Sequence, residues 1–480
     1  MHLERDKTFL KNVNIGESLR KKFEDPIFTK KFFVISILVN VCIYWLLSLT
    51  FLNFFVNYPL LFMDFRNFLT ATGTFVTDPA NLYANQFQTY KDITTVFTPI
   101  KWPIRSLPSI LFYFLIFYYI PSNILITGYI NSFCLVIWNL FSCYLIYKVV
   151  KNDAFKNNQG TGYFKNSFML MSIYLLSEYQ VDNYVTGNVN IIAGSFVLAG
   201  IYFYYQKKEH LTYMAWSIAG IFKIFVIVLI PFFIIQGPFK RFVKNACYTV
   251  IPQIPTLIIF ALWPNLIRDI WASNWQSVVI WEAFFQLSGS IARELSNWFS
   301  MPLIYLVILF CALFFPLNLW ICYKKNLSFL DRFMMGFITI IVCIPDFASI
   351  HNLIILGAYV LWISQKSSVM TKNIKVLMGI PTFFTLVIGE FFFVGFLVPS
   401  LSIYYIVCLA FIYSSLLKHQ HVNTVLLHHY DVLIGITAVG AFALSEILML
   451  LGMPSWIYGI PLVIVLLEST IPLASLITNT

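Results

Sequence analysis

Apolar stretches longer than about 18 residues recur along the whole chain, and that length lets a helix cross a bilayer. The first covers residues 32–56 and follows a polar, basic segment at residues 1–31, and further candidate spans include 125–147, 166–181 and 189–205. Only 11% of the 480 residues are charged, whereas soluble domains contain about 25%. The sequence therefore predicts an all-α polytopic membrane protein with about 12–14 transmembrane helices. The net charge of +10 is assigned to charged loops, and nucleic-acid binding is not inferred.

Several apolar stretches are too short to cross a membrane alone. Residues 211–222 and 224–235 would each span about 18 Å as a helix, against a hydrocarbon core of about 30 Å. We expect such pairs to form hairpins of short helices. Two segments predicted outside the cytoplasm are long, at about 57–124 and 264–300, and long loops often carry function. The first includes an apolar run at 109–120 that suits an interfacial helix.

Basic residues divide unevenly between the two sides of the predicted membrane. When residue 1 is placed in the cytoplasm, 24 of the 31 Lys and Arg lie in cytoplasmic segments, as the positive-inside rule expects. The outer segments hold Arg66, Lys91, Lys101, Arg105, Arg268 and Arg293. The remaining basic residue, Lys223, lies at the tip of a short hairpin that reaches toward the outer side. Acidic residues gather on the outer side, so the chemistry is expected there.

The first of three informative blocks of sequence is D-F-R-N-F-L-T-A-T-G-T-F-V-T-D-P-A-N-L-Y at 64–83, followed by F-T-P-I at 97–100. Together with G-N-V-N-I-I at 187–192, W-S-I-A-G-I-F-K at 216–223 and I-P-D-F-A-S-I-H-N-L at 344–353, it resembles the GT-C glycosyltransferases, and in particular glycosyltransferase family 87, whose members use polyprenyl-phosphate-mannose. The first block matches the family's acid after the first span with Asp64 and a later tyrosine with Tyr83. Thr98 stands where the family has an aromatic residue.

The second block is G-N-V-N-I-I at 187–192 with W-S-I-A-G-I-F-K at 216–223, and the third is I-P-D-F-A-S-I-H-N-L at 344–353. They are similar to the family's G-Q-x-N turn, its lysine hairpin and its histidine hairpin. Asn188 replaces glutamine, Lys223 matches the lysine and His351 matches the histidine.

The resemblance implies a GT-C-type bundle with a catalytic transmembrane core at 32–365 and interfacial helices in the first outer loop. Residues 366–480 are expected to form a C-terminal addition of about four helices. Three carboxylates lie in its apolar runs, and we expect them to be neutral and hydrogen-bonded because charge in hydrocarbon is costly. They are Glu390, Glu446 and Glu468.

The implied activity is transfer of a hexose, with mannose as the first candidate, from a polyprenyl-phosphate sugar to a lipid-linked or secreted glycan acceptor. Inverting transfer needs a general base, for which Asp64 is the candidate. Lys223 and His351 are assigned to the donor phosphate. The residues assigned to other substrate contacts are Arg66, Tyr83, Asn188, Asn190 and Glu178. No cofactor is expected, and no metal site is predicted because no His/Cys cluster has ligand spacing.

The expected site faces away from the cytoplasm, beyond the plasma membrane in a prokaryote or in the endoplasmic-reticulum lumen in a eukaryote. Membrane lipids and the two substrates are the expected partners. The acceptor, the linkage and the oligomeric state are left open.

Three of these residues also have a structural interpretation. Asp64 could be a solvated acid or a partner of Arg66, Lys223 could be a lysine that snorkels to the interface, and Glu178 could cap a helix. Two other activities compete as well. A lipid or glycolipid flippase suits the many spans, but its expected internal symmetry is absent from the sequence. An outer-face glycan polymerase is expected to hold several arginines in a large outer loop, and the second long loop contains only Arg268 and Arg293.

Overall fold

The computed structural model describes residues 25–56, 61–83, 106–120, 123–157, 165–177, 179–234, 238–272, 303–325, 327–343 and 353–366, with the single positions 410, 433, 437 and 444. Regular structure in these residues is entirely helical. The predicted all-α class is thereby confirmed. Residues 1–24, most of the second long outer segment and nearly all of 366–480, with Glu390, Glu446 and Glu468, lie outside the described residues.

Twelve helices organise the described part of the chain. They are α1 (Pro26–Leu38, Val39–Leu47, Ser48–Phe51 and Leu52–Val56 in one run), α2 (Met63–Thr77), α3 (Pro108–Ile110 leading into Leu111–Tyr118), α4 (Ile124–Lys151), α5 (Ser167–Leu175), α6 (Tyr179–Thr186), α7 (Asn190–Tyr205), α8 (Glu209–Phe222), α9 (Phe239–Val250, Ile251–Gln253 and Ile254–Leu262), α10 (Leu303–Lys324), α11 (Phe329–Cys343) and α12 (Leu353–Lys366). The second and fourth pieces of α1 are π-helical.

Four helical runs of the described residues are long and apolar enough to cross a membrane. They are Pro26–Phe54, Ile124–Lys151, Phe239–Leu262 and Tyr305–Lys324. Shorter apolar helices accompany them at Pro108–Tyr118, Asn190–Tyr205, Ile224–Ile234 and Leu353–Lys366. Together they confirm a polytopic membrane protein.

Helix α7 lies at the centre of the bundle and packs against α4, α8 and α12. Its sequence is apolar on every side, which is typical of a helix surrounded by protein. Glycines allow a close crossing with α12: a Cβ on Gly194 would lie 3.0 Å from the Leu353 carbonyl oxygen, and one on Gly357 would lie 2.5 Å from the Leu198 side chain. Small residues serve such crossings in membrane bundles.

The lysine hairpin has the broken geometry that the short apolar runs predicted. Helix α8 ends at Phe222, and Lys223 follows in an extended conformation with φ −143° and ψ 102°. A 3-10 segment at Ile224–Leu229 and a short turn at Pro231–Ile234 lead back. Gly220 lets the two arms touch, since a Cβ there would overlap the Ile227 side chain.

Two helices of the first outer loop, α2 and α3, pack against each other through aromatic rings. Phe68 and Phe114 stack with ring centroids 4.7 Å apart. Phe65 meets Phe117 edge to face at 5.5 Å. The predicted helices of this loop are therefore present, and α2, which holds Asp64, is fixed on an aromatic platform.

Candidate active site

Asp64 lies in the first turn of α2, where the partial positive charge of a helix N-terminus favours a carboxylate. The start of this helix is anchored to the end of α6, because the Phe62 N–H donates to the Val185 carbonyl oxygen at 2.6 Å. Phe62 itself has a left-handed backbone with φ 56°. Asp64 is half-buried and faces the turn that joins α6 to α7.

That turn delivers Asn188 to the carboxylate. The Asn188 Nδ2 donates to Asp64 Oδ2 at 2.6 Å, a contact across 124 residues of sequence. The other end of the same amide, Oδ1, accepts the backbone N–H of Asn190 at 3.2 Å and so closes the turn. A single side chain therefore orients the candidate base and starts α7.

Gly187 is required at this turn for two reasons. Its φ is +69°, a conformation that glycine adopts without strain. A Cβ there would also lie 2.7 Å from the Cβ of Phe65, the neighbour of Asp64. The glycine therefore lets the turn approach α2 closely enough for the Asn188 contact.

Asn190 begins α7 and is fully buried. The Asn188 N–H donates to the Asn183 carbonyl oxygen at 3.1 Å, which ties the turn to the last residues of α6. Asn188 and Asn190 therefore belong to one turn beside Asp64, and their assignment to substrate contacts stays a prediction.

Lys223 lies half-buried at the end of α8, where its N–H donates to the Ala219 carbonyl oxygen at 2.9 Å. The first outer loop reaches this corner, because the Ser106 hydroxyl donates to the Phe222 carbonyl oxygen at 3.4 Å. Phe222 is buried between Phe196, stacked at 6.1 Å, and Tyr113, edge-on at 6.0 Å. The backbone that holds the lysine is thus fixed by three separate elements.

Arg66 and Tyr83 differ in what they offer a substrate. Arg66 is half-buried on α2, and burial lowers the pKa of its guanidinium. Tyr83 is only 6% exposed, its hydroxyl donates to the Ser106 carbonyl oxygen at 3.0 Å, and burial raises its pKa. This placement favours a role for Tyr83 in folding the first outer loop against the Lys223 corner.

Two of the assigned residues, Glu178 and His351, lie outside the described residues. Within the described part, no three His, Cys, Asp or Glu residues come close enough to hold a metal ion.

A polar pair that was not predicted from the sequence joins the two halves of the site. The Tyr113 hydroxyl on α3 donates to Asn131 Oδ1 at 3.1 Å. The Asn131 Nδ2 in turn donates to the Gly187 carbonyl oxygen at 3.5 Å. The available signal was an asparagine in the apolar sequence of α4, because polar residues in a membrane span are costly and mark functional positions.

A second cluster that was not predicted from the sequence is a hydrogen-bonded network of buried side chains on α1, α4, α5 and α6. The Tyr184 hydroxyl donates to Asn40 Oδ1 at 2.7 Å, and the Tyr174 hydroxyl donates to Asn139 Oδ1 at 2.9 Å. The Asn139 Nδ2 donates both to the Tyr184 hydroxyl and to Gln180 Oε1. The network holds α6 in place, and α6 leads directly into Gly187 and Asn188.

Residues 108–345, just under half of the chain, match glycosyltransferase family 87. The matched range includes Asn188, Asn190 and Lys223, whereas Asp64 precedes it and His351 follows it. No curated protein and no solved structure has a significant match to this chain. The resemblance inferred from the sequence blocks is confirmed over the matched range, and it supports a membrane glycosyltransferase.

Proposed function

We propose that this protein transfers a hexose, with mannose as the first candidate, from a polyprenyl-phosphate sugar to a lipid-linked or glycan acceptor on the non-cytoplasmic face of its membrane. The family match supports the reaction class. The observation that carries the residue assignment is the 2.6 Å hydrogen bond from Asn188 to Asp64. It joins Asp64, the acid of the first sequence block, to the Gly187–Asn188 turn of the second block, which lies inside the matched range.

In the proposed reaction, an acceptor hydroxyl attacks the anomeric carbon from the face opposite the phosphate. Asp64 takes the hydroxyl proton as the new carbon–oxygen bond forms. The bond between the anomeric carbon and the phosphate oxygen breaks, and polyprenyl phosphate leaves with that electron pair. Inversion at the anomeric carbon follows. Asn188 restricts the carboxylate to one orientation, which a general base needs in order to meet the hydroxyl.

Lys223 is the proposed partner of the leaving phosphate, whose negative charge grows as the bond breaks. An ammonium group is a suitable point-charge partner for a phosphate. The broken hairpin supports this role, because the chain between α8 and the Ile224–Leu229 segment turns at the lysine. His351 is proposed to contact the same phosphate. This leaving group needs no metal ion, since no nucleoside diphosphate has to be neutralised.

Arg66, Asn190, Tyr83 and Glu178 are proposed to shape the sugar and acceptor sites. For Tyr83 the support is indirect, because its hydroxyl bonds to the backbone of the outer loop. We therefore propose that Tyr83 acts on substrates through the shape of that loop.

The test is incubation of the purified protein with short-chain polyprenyl-phosphate sugars and candidate lipid acceptors, followed by measurement of free polyprenyl phosphate and glycosylated product. Asp64→Asn should lower the rate by about 10²–10⁴-fold, because an amide keeps the shape of the side chain but cannot take the proton. Asp78→Asn is the matched control, since Asp78 lies at the opposite end of α2 and accepts from Asn81 at 2.8 Å.

Near-normal turnover by Asp64→Asn would remove Asp64 from the mechanism. An absence of product with every donor, together with lipid scrambling by the same preparation, would identify a transporter instead of a transferase.

A further inference from the structure

Tyr113 contacts both halves of the candidate site, although no sequence block assigned it a role. On one side its hydroxyl begins a chain of hydrogen bonds through Asn131 to the carbonyl oxygen of Gly187. Gly187 directly precedes Asn188, which donates to the Asp64 carboxylate. The hydroxyl of Tyr113 is therefore two hydrogen bonds away from the turn that orients the proposed base.

On the other side, the Tyr113 ring packs edge-on against Phe222, with centroids 6.0 Å apart and an interplanar angle of 76°. Phe222 is the last residue of α8 and precedes Lys223. The ring of Tyr113 therefore contacts the Lys223 side of the site, and its hydroxyl faces the Asp64 side.

We propose that Tyr113, acting through Asn131, is a positioning residue that sets the placement of the Asp64–Asn188 pair relative to the Lys223 corner. The inference rests on the proposed transferase function and adds a residue to it. The physical reason is the geometry of in-line displacement: base, acceptor hydroxyl, anomeric carbon and leaving phosphate must be arranged together, and a shift of about 1 Å can cost about 10²-fold in rate.

The chemistry of Asn131 supports this role. Its side chain is completely buried, and an amide in apolar surroundings is costly unless both of its ends are hydrogen-bonded. Here the oxygen accepts from Tyr113 and the nitrogen donates to Gly187, at 3.1 and 3.5 Å. Packing alone would be served by Phe at 113 and Leu at 131, so the polar pair adds a fixed orientation between α3, α4 and the turn.

The decisive variant is Tyr113→Phe, which removes the hydroxyl and keeps the ring on Phe222. We expect kcat to fall about 10-fold through misplacement of the base, while the KM for the polyprenyl-phosphate sugar stays at the wild-type value and the apparent Tm falls only modestly, because Asn131 Oδ1 loses its donor. Tyr113→Ala removes the ring as well and should also raise the donor KM. Tyr119→Phe is the matched control, because Tyr119 follows α3 and is 67% exposed.

A double-mutant cycle tests whether the hydroxyl acts through Asn131. If it does, Tyr113→Phe combined with Asn131→Leu lowers kcat no further than Asn131→Leu alone, because interacting residues are not additive.

If the wild type is active and Tyr113→Phe has an unchanged kcat, the inference is wrong and the proposed function is unaffected. The same holds if the only defect of Tyr113→Phe is a lower Tm. A wild type that releases no polyprenyl phosphate from any donor overturns both.

Discussion

At the scale of single residues, Asn188 combines two roles that are usually divided between side chains. Its nitrogen holds the Asp64 carboxylate, and its oxygen accepts the Asn190 N–H in a local turn of the kind that asparagine favours. Most substitutions therefore disturb both the contact with Asp64 and the local turn. A substitution that keeps only one of these contacts separates the two roles.

Asn188→Ser retains an oxygen that can accept the Asn190 N–H but is too short to reach Asp64. We expect its turnover to fall by about 10-fold or more through loss of carboxylate orientation, with an apparent Tm close to wild type. Asn188→Ala should lose similar activity and also about 0.5–1.5 kcal/mol of stability, the typical contribution of one hydrogen bond. Steady-state assays and thermal unfolding of both variants make the comparison. Wild-type turnover in Asn188→Ser would mean that Asn188 only shapes the turn.

The residues that the sequence predicted in the site are those with recognisable chemistry at recognisable positions. Asp64 follows the first span and Asn188 follows a glycine, and the resemblance to glycosyltransferase family 87 indicated both. Tyr113 and Asn131 escaped prediction because their importance comes from contacts over 18 and 56 residues of sequence, which no local pattern records. The burial of Tyr83 was not predicted for the same reason, since its partner Ser106 lies 23 residues away in the sequence.

At the scale of helices, the break between α5 and α6 corrects the sequence analysis, which predicted one span at 166–181. The structure has α5 at Ser167–Leu175 and α6 at Tyr179–Thr186. A helix end leaves backbone carbonyls without intrahelical partners, and inside a bundle they need other donors. Three side chains supply them: Gln180 donates to the carbonyl oxygen of Tyr174, Asn40 to that of Leu175 and Tyr44 to that of Leu176, at 2.9–3.1 Å.

Two of those donors come from the π-helical piece of α1, where Asn40 and Tyr44 are both buried. Single π-helical turns are frequent at functional positions. The sequence predicts α1 as a simple span, because π-helical geometry has no hydrophobic signature. The other helices were predicted more closely: the span at 125–147 corresponds to Ile124–Lys151, and that at 189–205 to Asn190–Tyr205.

Asn139 on α4 is the centre of the network that holds α6, so its replacement tests the element as a whole. Asn139→Leu removes the acceptor of the Tyr174 hydroxyl and the donor to Tyr184 and Gln180. Each buried polar group left without a partner costs about 1–3 kcal/mol. We therefore expect the apparent Tm in detergent to fall by several degrees, and turnover to fall with it.

Tyr144→Leu is the control for Asn139→Leu, because Tyr144 lies on the same helix and is 51% exposed. An unchanged Tm for Asn139→Leu, measured beside this control, would show that α6 is held by apolar packing and not by the network.

At the scale of the whole molecule, contacts sort the helix ends into two groups. One group joins the ends of α4, α7 and α12, where Asn152 donates to the Tyr205 carbonyl oxygen at 3.2 Å and Gln365 donates to the Tyr205 hydroxyl at 2.9 Å. Glu209 at the start of α8 pairs with Arg241 at 2.8 Å close to the start of α9. These are the ends that the basic residues assigned to the cytoplasm.

The other group contains the candidate site. Gly187 before α7 lies close to Phe65 on α2, and Asn265 after α9 donates to the Ala80 carbonyl oxygen at 2.7 Å. Helix α7 runs from the site group at Asn190 to the other group at Tyr205, and α8 runs back from Glu209 to the Lys223 hairpin. The helix contacts therefore agree with the alternation that the distribution of Lys and Arg predicts, and both place Asp64 and Lys223 on the same side.

The final prediction tests that side directly with single cysteines on a background that lacks the eight native ones. Thr77→Cys and Arg268→Cys should react with an impermeant thiol reagent added to intact cells or sealed vesicles of native orientation, because both positions are exposed at the end that carries the site. Asn157→Cys and Gln206→Cys, which are also exposed but at the opposite end, should react only after the membrane is permeabilised. Matching solvent exposure removes burial as a cause of any difference between the pairs. Labelling of the second pair in sealed membranes, with protection of the first, would invert the topology, place Asp64 and Lys223 in the cytoplasm and rule out transfer on the non-cytoplasmic face.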